Sequence, residues 1–109
     1  MKVYMYNHEQ QHYELRPMPG KCEKRGQYFA IFQFAEKLLG FPAGAWHVTH
    51  IPTGMWVSVE ESKNRAKRIA DALDKLGPFW NNEDHLAIRK ARDEDPDIDA
   101  SIRSILEEA

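Results

Sequence analysis

The sequence predicts an α+β fold: a small antiparallel sheet of three to four strands packed against one long helix, with a helical C-terminal extension. Three observations predict it. Two β-type runs, WHVTH and MWVSV, flank Ile51-Pro52-Thr53-Gly54, where Pro presets a turn dihedral and Gly closes the turn. Ala66, Ile69, Ala70, Leu73 and Leu76 recur at helical spacing and stop at Gly77-Pro78. Ile98, Ile102, Ile105 and Leu106 repeat that spacing after Asp95, a helix cap, and Pro96 at the first helical position.

In chain order, residues 1–6 are rich in β formers and HYELR at 12–16 alternates, so the polar NHEQQ between them reads as the connection of a hairpin. Pro17-Met18-Pro19-Gly20 breaks any regular element, and KCEKRG follows as a basic loop ending at Gly26. QYFAIFQF at 27–34 is dense in aromatic and β-branched residues, the signature of a strand buried on both faces; AEKLLG adds one helical turn, and a single helix over 27–39 competes with that reading. In the central hairpin, period-two alternation puts Trp46, Val48 and His50 on one face and His47, Thr49 and Ile51 on the other. In the return strand, Met55, Val57 and Val59 oppose Trp56 and Ser58.

SVEE reads as a capping box of Ser58 and Glu61 opening the long helix over 59–76. Asn82 caps a short helix running to about Arg92, and the Ile/Leu stripe completes the chain. Residues 1–78 form the sheet-and-helix core, and residues 79–109 an acidic helical extension of the same domain.

Composition bounds the function. The chain has 109 residues, 42% hydrophobic and 29% charged, enough for one modest core built around twelve aromatics. It contains no apolar run of membrane-spanning length, and the polar break in MKVYMYNHEQQ comes too early for a signal-peptide core. A single cysteine, Cys22, makes no internal disulfide, which fits a reducing, cytoplasmic setting. Charge is split: up to Leu76 there are eleven Lys and Arg against eight acids, and beyond it four against nine. Neither half carries the positive field of a dedicated nonspecific DNA binder.

His8-Glu9-x-x-His12 is the letter pattern of a zinc peptidase, whose two His share a helix face while Glu activates water. Here β-type VYMY and HYEL flank it, and Leu15 stands where the extended motif has glycine. A zinc-dependent hydrolase through His8, Glu9 and His12 is therefore a distant reading, and no metal or cofactor is expected. His47 and His50, three apart on a strand, point to opposite faces and do not chelate together. Lys21, Lys24 and Arg25 around Cys22 favour a thiolate, but no nucleophile motif accompanies it.

With the helix on one side of the sheet, the other side is expected to be wet and to present His47, Thr49, Trp56 and Ser58. Trp56, His47, Thr49, Ile102 and Ile105 are the candidate partner-binding residues, for a protein partner or for self-association. The alternative is a nucleic-acid-binding module, the open sheet face stacking bases while Lys21, Lys24, Arg25, Lys63, Lys67 and Arg68 contact phosphates.

The segment WHVTHIPTGMWVSV followed by an Ala-rich helix resembles small accessory proteins of unassigned role encoded by phages and prophages, in which a W-x-V-T-H-x-P-T-G-like stretch precedes a helix. The resemblance covers residues 45–76 and implies accessory work, such as modulating host or defence machinery, with no catalytic residue to carry over. The function expected is thus non-catalytic: a small accessory or regulatory protein binding a macromolecular partner.

Overall fold

The structure, a computed structural model, describes residues 2–7, 12–17, 21–33 and 44–108. Strands β1 (Lys2–Asn7) and β2 (His12–Pro17) pair antiparallel with Asn7 opposite His12, which is the expected N-terminal hairpin. A second, four-stranded sheet holds β3 (Lys21–Arg25), β4 (Phe29–Gln33), β5 (Trp46–His50) and β6 (Met55–Glu60) in sequential order, all antiparallel. Helix α1 (Lys63–Asp74), a 3₁₀ turn (Gly77–Trp80), α2 (His85–Glu94) and α3 (Pro96–Glu108) follow. Among the described residues no helix is long and apolar enough to cross a membrane.

QYFAIFQF resolves as strand: Phe29, Ala30, Ile31 and Phe32 are fully buried, as a strand covered on both faces requires. The helical turn expected at AEKLLG lies outside the described residues.

The basic loop expected at KCEKRG is instead the edge strand β3. Its alternation is of charge rather than of hydrophobicity. Arg25 makes a two-pronged contact with Asp71 of α1, Nε to Oδ1 at 2.9 Å and Nη2 to Oδ2 at 2.6 Å. Lys63 and Lys67 of α1 stand 3.9 and 4.0 Å from Glu23, while Cys22 and Lys24 are exposed. Charged residues along an edge also discourage pairing with foreign strands.

Helix α1 begins one serine later than the capping-box pattern suggests. Pairing of β6 runs to Glu60, opposite Trp46, so Ser58 is a strand residue and its hydroxyl donates to Glu60 Oε1 at 2.6 Å. The cap is Ser62, whose side chain accepts from the Arg65 amide. At the other end, Asp74 Oδ1 accepts the backbone N–H groups of Gln27 (2.9 Å) and Tyr28 (2.7 Å), tying α1 to the β3–β4 turn. That turn passes through Gly26 at φ +77°, where a Cβ would stand 2.2 Å from Asp74 Oδ2.

Ala66, Ile69, Ala70 and Leu73 form the buried stripe of α1 and pack on Phe29, Ile31, Trp46 and Val48. Trp80, Ile88 and Ile102 belong to the same core, with Ile98, Ile105 and Leu106 half-buried against it. The C-terminal helices therefore complete the core of the sheet. Asp95 caps α3 through the Ile98 amide, as expected, whereas α2 is capped by Asp84, with Asn82 supporting that cap through the Asp84 amide.

A β-bulge interrupts the central hairpin. Val48 pairs with Ser58 and Thr49 with Trp56, leaving Val57 as the extra residue. Strict alternation thus fails in β6: Val57 packs on the helix-side core, but Val59, opposite His47, shares the other face. That other face is not wet as expected. His47 and Thr49 are each 1% exposed, and Ala30 and Phe32 form a second apolar cluster with Ile51 and Trp56.

Candidate partner-binding groove

Strand β6, the 3₁₀ turn, α2 and α3 enclose a groove of about 490 Å³. Its floor is apolar, made by Val57, Trp80, Ile88, Ile102 and Leu106. Met55 stands at the mouth, 36% exposed, with Trp56 beside it. The size falls in the range of about 300–1,000 Å³ typical of small-molecule pockets.

Helical spacing sets the rim. His85, Ile88, Arg89 and Arg92 of α2 fall on one face, and Asp99, Ile102, Arg103 and Leu106 of α3 meet them across the groove. Asp99 holds two of the arginines: its Oδ1 accepts from Arg92 Nε (3.0 Å) and Nη2 (2.8 Å), and its Oδ2 lies 2.8 Å from Arg103 Nε. The hydrogen bonds from Arg92, aided by Arg103, keep the Asp99 carboxyl below the usual carboxylate range. Arg89 is exposed and makes no ion pair among the described residues.

The inner end of the groove is fixed by His50. Its Nε2 lies 2.7 Å from the Trp80 carbonyl oxygen, which can only accept, so Nε2 carries the proton. Nδ1 faces Thr53 Oγ1 at 2.9 Å, and Thr53 Oγ1 in turn accepts from the Met55 amide. Trp80 Nε1 donates to the Leu73 carbonyl at 2.6 Å. A hydrogen-bonded chain thus runs from the IPTG turn through the 3₁₀ turn to the end of α1. Burial holds His50 below its ordinary pKa, partly offset by the bond to Trp80.

Of the five residues expected to bind a partner, Trp56 and Ile102 line the groove, the latter as floor at 2% exposure. Ile105 packs half-buried on the core, because α3 covers its stripe with its own domain. His47 and Thr49 are interior: the His47 ring stacks on Phe32 (centroids 5.1 Å, 9°) and meets Trp56 edge-on (4.4 Å, 68°).

The basic set is dispersed. Arg25 is committed to Asp71, Lys63 and Lys67 lie within ion-pair distance of Glu23, and Lys63 also sits over the Trp46 ring. Lys24 and Arg68 are exposed and form no ion pair among the described residues. The side chain of Lys21 lies outside the described part of the structure.

His8 and Glu9 lie outside the described residues, and His12 sits on strand β2 rather than on the helix a zinc peptidase needs. Among the described residues no group of three or more His, Cys, Asp or Glu is arranged to hold a metal ion. His47 and His50 do point to opposite faces, toward Phe32 and Trp80 respectively. At Cys22, partial desolvation pushes the thiol up, against the thiolate expected from its basic neighbours.

Met55, Ile88, Arg89, Arg92, Arg103 and Leu106 were not legible in the sequence as lining one groove. Their signal was the shared face of residues 85, 88, 89 and 92, which has meaning only once α2 is known to lie beside α3 and β6. No protein-family model, curated protein or solved structure matches the chain.

Proposed function

We propose that this is a small non-catalytic accessory protein that binds a protein partner in the groove between β6, α2 and α3. The carrying observation is the groove itself: an apolar floor, an exposed Met55 at its mouth and an arginine rim. Apolar anchors ringed by polar groups, with Met, Trp and Arg among them, are the usual composition of a protein-binding patch. Two of the titratable groups there have structural duties: His50 bridges Thr53 and Trp80, and Asp99 holds Arg92 and Arg103. Nucleic-acid binding has less support, since Arg25, Lys63 and Lys67 are each near a carboxylate.

The test is a benzophenone amino acid at Met55 in the chain expressed in its native host, irradiated with and without nuclease treatment. A nuclease-resistant protein adduct, reduced when Ile88 is also changed to Glu in a variant that still folds, supports the reading. Adducts to nucleic acid, or none, overturn it.

A further inference from the structure

Charge in the C-terminal part of the chain is sorted by position. Beyond Leu76 lie four Lys and Arg residues and nine acids. Three of those four cations, Arg89, Arg92 and Arg103, line the groove, against two of the nine acids, Asp93 and Asp99. The wall formed by β6 adds Met55, Trp56 and Val57 and no charge. An acidic stretch of chain thus keeps most of its carboxylates off the groove and most of its cations on it.

Asp99 orients two of these arginines without using up their donors. It takes Nε and Nη2 of Arg92 and Nε of Arg103, which leaves Nη1 of Arg92 and both Nη groups of Arg103 without a hydrogen bond among the described residues. Two guanidinium groups share that one carboxylate, so the trio keeps a positive charge. Arg89 and Asp93 offset each other in charge, but Arg89 brings five N–H donors to the rim. Below the rim lies the apolar floor of Trp80, Ile88 and Ile102. An occupant that matches both layers has large apolar side chains for the floor and carboxylates for the rim. A basic peptide meets like charge there, and a bare polyanion leaves the floor uncovered. We infer that the groove selects an acidic segment of its protein partner, one in which Asp or Glu flank large apolar anchors. The inference rests on the reading of the groove as a protein-binding site and adds the chemistry of the partner.

Fluorescence anisotropy on the full chain tests it, with three labelled short peptides that share one pattern of Leu and differ in carrying Glu, Gln or Lys between the leucines. The Leu/Glu peptide is expected to bind about tenfold tighter than the Leu/Gln peptide, with Leu/Lys the weakest, and the preference to shrink as salt is raised. Arg89→Glu and Arg103→Glu, at exposed positions where folding is checked by circular dichroism, each cut that preference severalfold. Lys24→Glu makes the same charge change on β3, at the opposite edge of the sheet from β6, and leaves the preference intact. Equal binding of the Glu and Gln peptides, no binding of either, a preference untouched by both arginine variants, or an equal loss in Lys24→Glu overturns the inference. So does a labelled single-stranded oligonucleotide that binds tighter than the Leu/Glu peptide. If it is overturned while a Met55 adduct to a protein still forms in the host, the partner's chemistry alone is wrong and the groove reading stands.

Discussion

His50 donates its Nε2–H to the carbonyl of Trp80 at 2.7 Å, joining the last residue of β5 to the 3₁₀ turn thirty positions later. The bond closes the inner end of the groove and fixes the imidazole tautomer. His50→Ala leaves the Trp80 carbonyl and Thr53 hydroxyl short of partners and opens a void beside Phe29. It is expected to cost about 2–4 kcal/mol in denaturant unfolding. Thr53→Val, which removes one end of the chain only, costs about 1 kcal/mol.

Stability should fall on mild acidification. Burial lowers the His47 pKa from 6.5 to about 4, and burial also lowers that of His50. Between those pH values the unfolded chain binds more protons than the folded one. The His47 contribution is complete above pH 6.5 and is lost as pH falls toward 4, on the order of 3 kcal/mol in all. His47→Phe, whatever its effect at neutral pH, flattens the dependence of unfolding free energy on pH in that window, leaving the slope due to His50.

Two glycines with similar dihedrals should respond differently to alanine. Gly26 has φ +77° and a Cβ there would lie 2.2 Å from Asp74 Oδ2, so Gly26→Ala adds a clash to the left-handed strain. Gly77 has φ +74° with nothing within 4 Å. Thermal or urea unfolding should show a loss of about 1 kcal/mol for Gly77→Ala and about 2–3 kcal/mol for Gly26→Ala.

Ile102 and Leu86 separate core from surface among the helical residues. Ile102→Ala removes a side chain that is 2% exposed and should cost about 2–4 kcal/mol. Leu86→Ala, at 61% exposure, should stay within about 0.5 kcal/mol of wild type when unfolding is measured on the dilute protein.

What the sequence disclosed and what it hid follow a physical line. The IPTG turn, the α1 stripe from Ala66 to Leu73 and the Asp95-Pro96 start of α3 are local, set by residues within a turn of one another, and each appears as read, whereas Leu76 lies past the end of α1 at Asp74. The edge strand β3 looked like a loop because its partners, Asp71 on α1 and Lys63 and Lys67 before it, are far along the chain. The bulge at Val57 was hidden for a related reason: alternation reveals faces, but an unpaired residue exists only relative to the neighbouring strand. Of the site, Trp56 and Ile102 were legible as large apolar residues with somewhere to go. The groove between them was not, since it arises from how three elements abut.

Asp71 and Asp74 lie almost one helical turn apart on α1, and both reach the same hairpin: Asp71 holds Arg25, and Asp74 holds the amides of Gln27 and Tyr28, 46 to 47 positions away. If β3 slid by one residue along β4, Arg25 would turn to the opposite side of the sheet and the turn amides would leave Asp74. The alignment of this first hairpin of the larger sheet is therefore proofread by a helix made much later in the chain. Asp74 Oδ1 holds its turn amides, so their protection from solvent exchange depends on α1 being docked against the hairpin.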